Sequence, residues 1–147
     1  IDDGSGAISV SHIYAAVEIK DGSGDMTIDD INNDLKINDG SGGVYISQVI
    51  GNVSIIDGSG EIEVKNIDGN LDIDDGSGSI FVKNVSGDAV FEDGSGELTV
   101  RNIEGLVIID DGSGGIDVEQ AGGLKIINSG SGGMRVKKVK GGFEIDN

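Results

Sequence analysis

The sequence predicts an all-β fold, a single-chain parallel β-solenoid of about eight coils with 18 residues in each coil. Three observations carry this prediction. The turn sequence DGSG returns every 18 residues from Asp3 to Asp111 and ends as SGSG at Ser129. Apolar residues fall at the same five positions of each repeat, and the chain contains 27 glycines and no proline. This combination is typical of short, regular strands joined by tight turns.

The corners of each coil are predicted from glycine and from the spacing of the apolar residues, with the motif aspartate taken as position 1. Glycines at positions 2 and 4 supply one corner, because glycine accepts the positive φ angles of tight turns. Position 13, which is glycine in six of the eight repeats, supplies a second corner. The apolar pattern skips two residues between positions 8 and 11, which predicts a third. Three short sides are therefore expected to close one coil.

The interior is predicted from positions 6, 8, 11, 15 and 17, whose spacing includes the alternation of side chains along a strand. These positions are apolar in all eight repeats except at Lys125. A local slip of that strand would turn Lys125 outward. Position 8 is β-branched throughout, as at Val82, which favours strands over helices. One coil cannot bury this face alone, so the coils are expected to stack.

The chain is predicted to form one domain, residues 1–147, or to be a segment of a longer repeat protein. Equivalent residues of stacked coils lie about 4.8 Å apart, so eight coils would make a rod about 40 Å long. The crossover preference of parallel strands favours a right-handed coil. Left-handed hexapeptide helices also have 18 residues per coil, so the left-handed alternative stays open.

Charge and composition argue against several classes of partner. The formal net charge is −17, from 27 acidic and 10 basic residues, which disfavours nucleic acid and anionic membrane surfaces. No run of about 18 apolar residues occurs, so no membrane insertion is predicted, and any leader or anchor would lie outside this segment. The sequence has no cysteine, which removes disulfide and thiol chemistry.

The repeated aspartate has two interpretations. In the first, each carboxylate accepts backbone N–H groups one to three residues later and stabilises a turn, with no cofactor. In the second, carboxylates stacked about 4.8 Å apart repel one another and bind calcium loosely. The candidate metal-binding residues would then be Asp3, Asp21, Asp39, Asp57, Asp75, Asp93 and Asp111.

Spacing excludes the calcium-binding nonapeptide roll. In that repeat an aspartate follows the glycines by two positions and faces the metal. Here the equivalent place is position 6, which apolar residues such as Ile62, Ile80 and Leu98 occupy. A roll-type metal site is therefore not expected.

No catalytic site is predicted, and we expect the chain not to be an enzyme. Catalysis needs a nucleophile, a base and an orienting group that converge at one place. The single histidine, His12, lies at corner position 10, which polar residues fill in the other repeats. Its side chain is therefore expected to be solvated. Paired acids recur in every coil without an aromatic platform for sugar.

Two surface features predict self-association. Outward positions 14 and 16 become apolar in the later coils, at Val90, Leu106, Ile108, Leu124 and Ile126. An exposed apolar stripe of this kind indicates a contact surface. The final coil is basic, with Arg135, Lys137, Lys138 and Lys140, whereas the opening coils are acidic. Opposite charges at the two ends predict head-to-tail stacking.

The repeats also carry a family resemblance. The segment DGSGEIEVKNIDGNLDIDDGSGSIFVKNVSGDAVFEDGSGELTV, residues 57–100, repeats GSG-x-I-x-V followed by V-x-G-D/N-x-x-I. With these motifs the chain resembles, over essentially its whole length, a bacterial adhesin family of unknown function that is built from GSG-repeat β-solenoids. The resemblance implies a scaffold or adhesive role, an extracellular or cell-surface location and no catalytic residues. A second resemblance, to bactofilin-like solenoids, implies a cytoplasmic cytoskeletal filament.

The sequence thus predicts a non-enzymatic structural or adhesive β-solenoid that self-associates, as a cell-surface scaffold or fibre subunit. Its expected partners are further copies of the chain and a cell-surface or matrix ligand. Two alternatives stay open: an acidic surface module that responds to Ca²⁺, and a bactofilin-like filament subunit.

Overall fold

The computed structural model describes residues 1–146, and Asn147, the last residue of the predicted domain, lies outside the described residues. Within this range the fold is all-β, and no helix is long and apolar enough to cross a membrane. The strands are β1 (Asp2–Asp3), β2 (Ile8–Ile13), β3 (Val17–Asp21), β4 (Met26–Ile31), β5 (Leu35–Asp39), β6 (Val44–Ile50), β7 (Val53–Asp57), β8 (Ile62–Asp68), β9 (Leu71–Asp75), β10 (Ile80–Val85), β11 (Ala89–Asp93), β12 (Gly96–Asp111), β13 (Gly114–Asn128), β14 (Met134–Val139) and β15 (Phe143–Ile145).

The strands form two parallel ladders that run along the solenoid axis. The even-numbered strands β2 to β10 pair in order and reach β12, and the odd-numbered strands β1 to β11 also reach β12. Strand β13 then pairs with β12, β14 and β15. Val82 pairs with Val64 in one neighbouring coil and with Val100 in the other, which is the register of the 18-residue repeat. The predicted parallel β-solenoid is confirmed.

The apolar columns lie inside the coils, as the sequence predicts. Val64, Val82 and Val100 stack on one another and are fully buried. Phe91 fills the equivalent interior place in the other ladder of its coil. Interior positions at the two ends of the rod are less covered, and Val10 and Val136 are only partly buried.

The corner at position 10 is built by a left-handed residue within a strand. Asn66, Asn84 and Asn102 have φ angles of 60°, 63° and 57°. Asparagine tolerates this conformation better than most residues. The bend lets positions 8 and 11 both point inward, so β10 turns the corner without ending. The predicted third corner is therefore a kink inside one strand, and most coils contain two named strands instead of three separate sides.

The GSG corner depends on glycine because adjacent coils touch through their backbones there. Gly96 has a φ of 143°, and a Cβ atom at this position would lie 1.6 Å from the carbonyl oxygen of Gly78 in the preceding coil. At position 2 of the repeat, a Cβ atom on Gly76 would lie 2.6 Å from the carbonyl oxygen of Gly58. Any side chain at these places would separate the coils. The repeated turn is thus a stacking contact as well as a bend.

The seventh coil departs from the repeat by one residue. Its register with β12 shifts after Ile103, so that Leu124 pairs with Val107 and Ile126 pairs with Ile109. Leu124 and Ile126 are 1% and 0% exposed, and the prediction that they face solvent is therefore wrong. The register shift confirms the predicted slip at Lys125. The slip occurs because burying an unpaired ammonium group would cost far more free energy than a local change of register. Ile127, predicted to be interior, is 45% exposed.

Replacing Val82 with aspartate tests the assignment of the interior. The new carboxylate would be buried between Val64 and Val100 without a partner. We expect the free energy of unfolding to fall by on the order of 4 kcal/mol in a denaturant titration. The neighbouring exposed residue provides the control, Lys83→Ala, which should change it by less than about 0.5 kcal/mol. Equal effects of the two substitutions would contradict the assignment.

Two glycines at the same position of the repeat test the stacking contact. Gly76→Ala places a Cβ atom against the carbonyl oxygen of Gly58, and we expect it to lower the free energy of unfolding by about 1–3 kcal/mol. Gly4 has no atom within 4 Å of the equivalent place. Gly4→Ala should therefore leave the stability of the dilute protein unchanged. If both variants melted like the wild type, the backbone contact between coils would be looser than the structure shows.

Candidate functional site

The motif aspartates form a column inside the solenoid, not on its surface. Position 1 follows positions 15 and 17 in strand alternation, so its side chain also points inward. Six of these aspartates are at most 4% exposed. We call them the aspartate column: Asp21, Asp39, Asp57, Asp75, Asp93 and Asp111. Asp3, at the open end of the first coil, is partly exposed. This burial is not among the predictions from the sequence, although the alternation of inward and outward side chains within each repeat extends to position 1.

At every column position except Asp39, one oxygen of the carboxyl group accepts a hydrogen bond from the turn. The backbone N–H of Ser77 donates to Oδ1 of Asp75 at 3.1 Å, and that of Ser95 donates to Oδ1 of Asp93 at 3.0 Å. The same contact recurs at the other GSG corners from Asp3 to Asp111 except at Asp39. The turn-stabilising interpretation of the aspartate is therefore confirmed for this oxygen.

In the aspartate column the other carboxyl oxygen, and both oxygens of Asp39, are buried without a hydrogen-bond partner among residues 1–146. Burial, followed by the nearby carboxylates of Asp39 and Asp75, raises the pKa of Asp57 to about 7. Burial also raises the pKa of Asp93 to about 6, with contributions from Asp75 and Asp111. Two ionised groups about 4.8 Å apart repel by roughly 3–4 kcal/mol at an effective dielectric constant of about 20. Burial also raises the pKa values of Asp39, Asp75 and Asp111, so five successive members of the column are weaker acids than an exposed aspartate.

The arrangement does not resemble a built metal centre. Calcium takes six to eight oxygen ligands. In the described part of the chain, no group of three or more His, Cys, Asp or Glu side chains is placed to hold a metal ion. Loose calcium binding along the acidic surface stays a prediction.

A shallow groove runs along one side of the first five coils. Its volume is about 700 Å³, and its lining includes Asp34, Asn52, Asn70 and Asp88 at position 14. Each of these side chains accepts a hydrogen bond from the backbone N–H of position 14 in the next coil, with an N to Oδ1 distance of 2.8–3.0 Å. The series ends at Leu106, which receives this contact from Asp88 and offers no acceptor to the coil beyond. The position-14 side chains of the groove therefore hold neighbouring coils together.

His12 lies where the sequence predicts, at an exposed corner. Its side chain is 72% exposed, and its Nδ1 lies 2.6 Å from Oδ2 of Asp30 in the next coil. Further along the same column, the side-chain amide of Asn84 donates to Asn66, and that of Asn102 donates to Asn84. The histidine takes part in a surface column of coil-to-coil contacts.

The predicted apolar stripe is shorter than expected. Val90 and Leu106 are 37% and 41% exposed, and Ile108 is partly buried. Leu124 and Ile126 do not contribute, because the register shift of the seventh coil turns them inward. The remaining surface is a small patch of three residues, which we call the lateral patch.

The apolar interior is uncovered at the end of the eighth coil. Met134, Phe143 and Ile145 occupy interior positions of the repeat but are 40%, 50% and 41% exposed. Around them Arg135, Lys137, Lys138 and Lys140 are exposed. We call this surface the basic end. It presents the cross-section of a β-solenoid core with a cationic rim.

The basic end also acts on the coil beneath it. Nζ of Lys138 lies 3.5 Å from a carboxylate oxygen of Glu119. Hydrogen bonds from Arg101 lower the pKa of Asp117, and the charges of Arg135 and Lys137 lower it further. The cations thus stabilise carboxylates of the neighbouring coil, and an acidic coil placed on their other side would receive the same field.

Calcium addition tests the alternative interpretation of the aspartates. We expect millimolar Ca²⁺ to leave the far-ultraviolet circular dichroism spectrum unchanged and to raise Tm by about 2 °C, because diffuse binding to a chain of charge −17 suffices. Magnesium at the same concentration is the control and should act alike. Unfolding by a chelator, or a calorimetric titration with one tight site per coil, would contradict this expectation.

Comparisons with known proteins add no relative to these observations. No protein-family model matches the chain, and no curated protein or solved structure matches it. The function proposed below rests on the geometry of residues 1–146 and on the resemblance of the repeats.

Proposed function

We propose that this chain is a non-enzymatic structural β-solenoid whose copies stack end to end, as a scaffold or fibre subunit. The observation that carries the proposal is the basic end, where the apolar cross-section of the core is exposed within a cationic rim. Exposed apolar surface of this kind is typically a contact surface. A further β-coil has the shape and the backbone hydrogen bonds to cover it.

The opposite end of the rod is complementary in charge. Asp2, Asp3 and Glu18 belong to the first coil or its edge, and Asp25, Asp29, Asp30 and Asp34 follow in the second. Val10, Ile13 and Val17 are partly buried there and offer an apolar cross-section. We call this surface the acidic end. Contact between the basic and acidic ends would pair opposite charges around an apolar centre, and such a head-to-tail contact propagates along the axis.

Gly4 of the first coil also fits this contact. In the second coil, a Cβ atom on Gly22 or Gly24 would lie 2.6 Å or 1.9 Å from a carbonyl oxygen of the first coil. The equivalent place at Gly4 is open. In a continuous stack, the carbonyl oxygen of Gly130 of a second copy would approach Gly4. The absence of a side chain at Gly4 therefore suits a contact between two copies.

A continuous stack requires one local adjustment. Ile1 and Ile145 both occupy position 17 of the repeat. Ile1 and Asp2 of one copy would therefore meet Ile145 and Asp146 of the next at the same place in the ladder. One of the two short segments must leave the ladder at the junction. The long even-numbered ladder is unaffected, because β2 can pair directly with β14.

The lateral patch supports a second, weaker contact between rods. Val90, Leu106 and Ile108 lie on one side of the fifth and sixth coils, next to the groove. Burying these side chains would favour side-by-side pairing by roughly 25 cal/mol for each Å² of apolar area. We place this contact second because the patch is small.

An extracellular or cell-surface location is part of the proposal. It is supported by the resemblance of the GSG repeats to the bacterial adhesin family. An adhesive role towards a surface or matrix ligand has the same support, and calcium-responsive and cytoskeletal roles are the alternatives. Uniform coils held by side chains of the groove and the position-10 corner support a structural role over an enzymatic one.

Sedimentation velocity at low and high salt tests the end-to-end contact. We expect the wild type to form species larger than a monomer at low salt and to dissociate partly as salt screens the end charges. Lys137→Glu/Lys138→Glu should weaken association at least tenfold, because acidic ends would then face each other. Lys65→Glu/Lys83→Glu is the matched control, since it makes the same change of charge on the side of the rod.

Two further variants separate the contacts. Gly4→Ala should weaken end-to-end association without lowering monomer stability, because its Cβ atom would meet the incoming carbonyl oxygen. Leu106→Asp/Ile108→Asp should affect only lateral pairing. A wild type that sediments as a monomer at every salt concentration would refute the proposal.

A further inference from the structure

The aspartate column is an interior feature that end-to-end assembly does not require. Its carboxyl groups are at most 4% exposed, and each keeps at least one buried oxygen without a hydrogen-bond partner in the described chain. The N–H groups at the GSG corner satisfy only the other oxygen, as Ser95 does for Asp93. An ionised carboxylate in this position is costly, whereas a neutral carboxylic acid is not.

The charged groups that raise the pKa values of five column members, Asp39, Asp57, Asp75, Asp93 and Asp111, are acids. Asp39 and Asp75 act on Asp57, and Asp75 and Asp111 act on Asp93. At the remaining positions the acting charges are Asp21 and Asp25 on Asp39, Asp74 on Asp75, and Asp110 on Asp111. Each of these charges favours the neutral form of its neighbour.

We propose that the aspartate column is a proton-binding site that couples the stability of the coil stack to pH. Folding places the carboxyl groups in the interior, and the folded rod takes up protons that the unfolded chain would release. Raising the pH removes these protons and leaves like charges stacked about 4.8 Å apart. The rod is therefore most stable in mild acid and loosens as the pH rises.

The direction follows from the acid constants of the folded and unfolded states. Burial and neighbouring acids raise the pKa of Asp57 to about 7 and that of Asp93 to about 6, from 3.8. Because the folded state binds protons more tightly, its advantage is complete below about pH 4 and is lost as the pH rises through about 6 to 7. Within this window, each group that is protonated only in the folded state makes the folding constant fall about tenfold for every unit by which the pH rises.

Urea unfolding of dilute protein between pH 4 and pH 8.5 tests the proposal. We expect the folding constant of the wild type to fall steeply across this range. Asp57→Asn/Asp93→Asn should flatten the dependence by up to about tenfold per pH unit for each residue replaced. The matched control is Asp72→Asn/Glu92→Gln, which removes two exposed acids. It should retain the slope of the wild type.

Carbon-detected NMR titration of the wild-type aspartate carboxyl groups provides a readout that needs no variant. We expect Asp57 and Asp93 to titrate above pH 5.5, well above the ordinary range of an aspartate. Titration of both groups below pH 5 would overturn the proposal, as would equal slopes for the buried and exposed pairs of substitutions. The outcome is independent of the end-to-end contact, because monomeric protein is measured.

Discussion

The rest of the structure depends on how closely the corner of one coil approaches the backbone of the coil before it. At Gly96 a carbonyl oxygen of the preceding coil occupies the space that a side chain would need. This approach lets the ladders on both sides of the coil keep one register. The turn sequence recurs because each coil must make this contact anew, and the fixed length of the repeat follows from it.

The close stack has an electrostatic consequence. A residue that stabilises each turn is placed directly above its copy in the next coil, so Asp57 lies in register with Asp39 and Asp75. The hydrogen bond that the serine N–H donates stabilises its own turn, as at Asp57, whereas repulsion acts between carboxyl groups of neighbouring coils. Polar columns on the surface avoid this conflict, because Asn66, Asn84 and Asn102 donate and accept hydrogen bonds in sequence.

Most of the fold could be predicted from the sequence because one pattern is repeated eight times, as the β-branched column around Val82 illustrates. Burial of the aspartates is not predicted because a carboxylate is normally assigned to the surface. The alternation along the strand nevertheless places Asp75 on the same inward face as Ile73. Leu124 and Ile126 were misplaced because counting by 18 cannot detect a one-residue slip followed by a bulge. Lys125 was the signal of that slip. Self-association and a cell-surface location stay predictions, since both concern what lies around the chain and a single chain does not test them.

The stacking of the coils is the central claim, and a distance along the axis tests it most directly. Ser11 and Lys137 lie in one outward column, connected through seven successive strand pairs. The chain has no cysteine, so two engineered cysteines at these places can carry spin labels without background. With labelled protein diluted in unlabelled protein, we expect pulsed electron paramagnetic resonance to give a narrow distribution near 34 Å, which is seven spacings of about 4.8 Å. A broad distribution, or one centred far from this distance, would contradict the parallel stack.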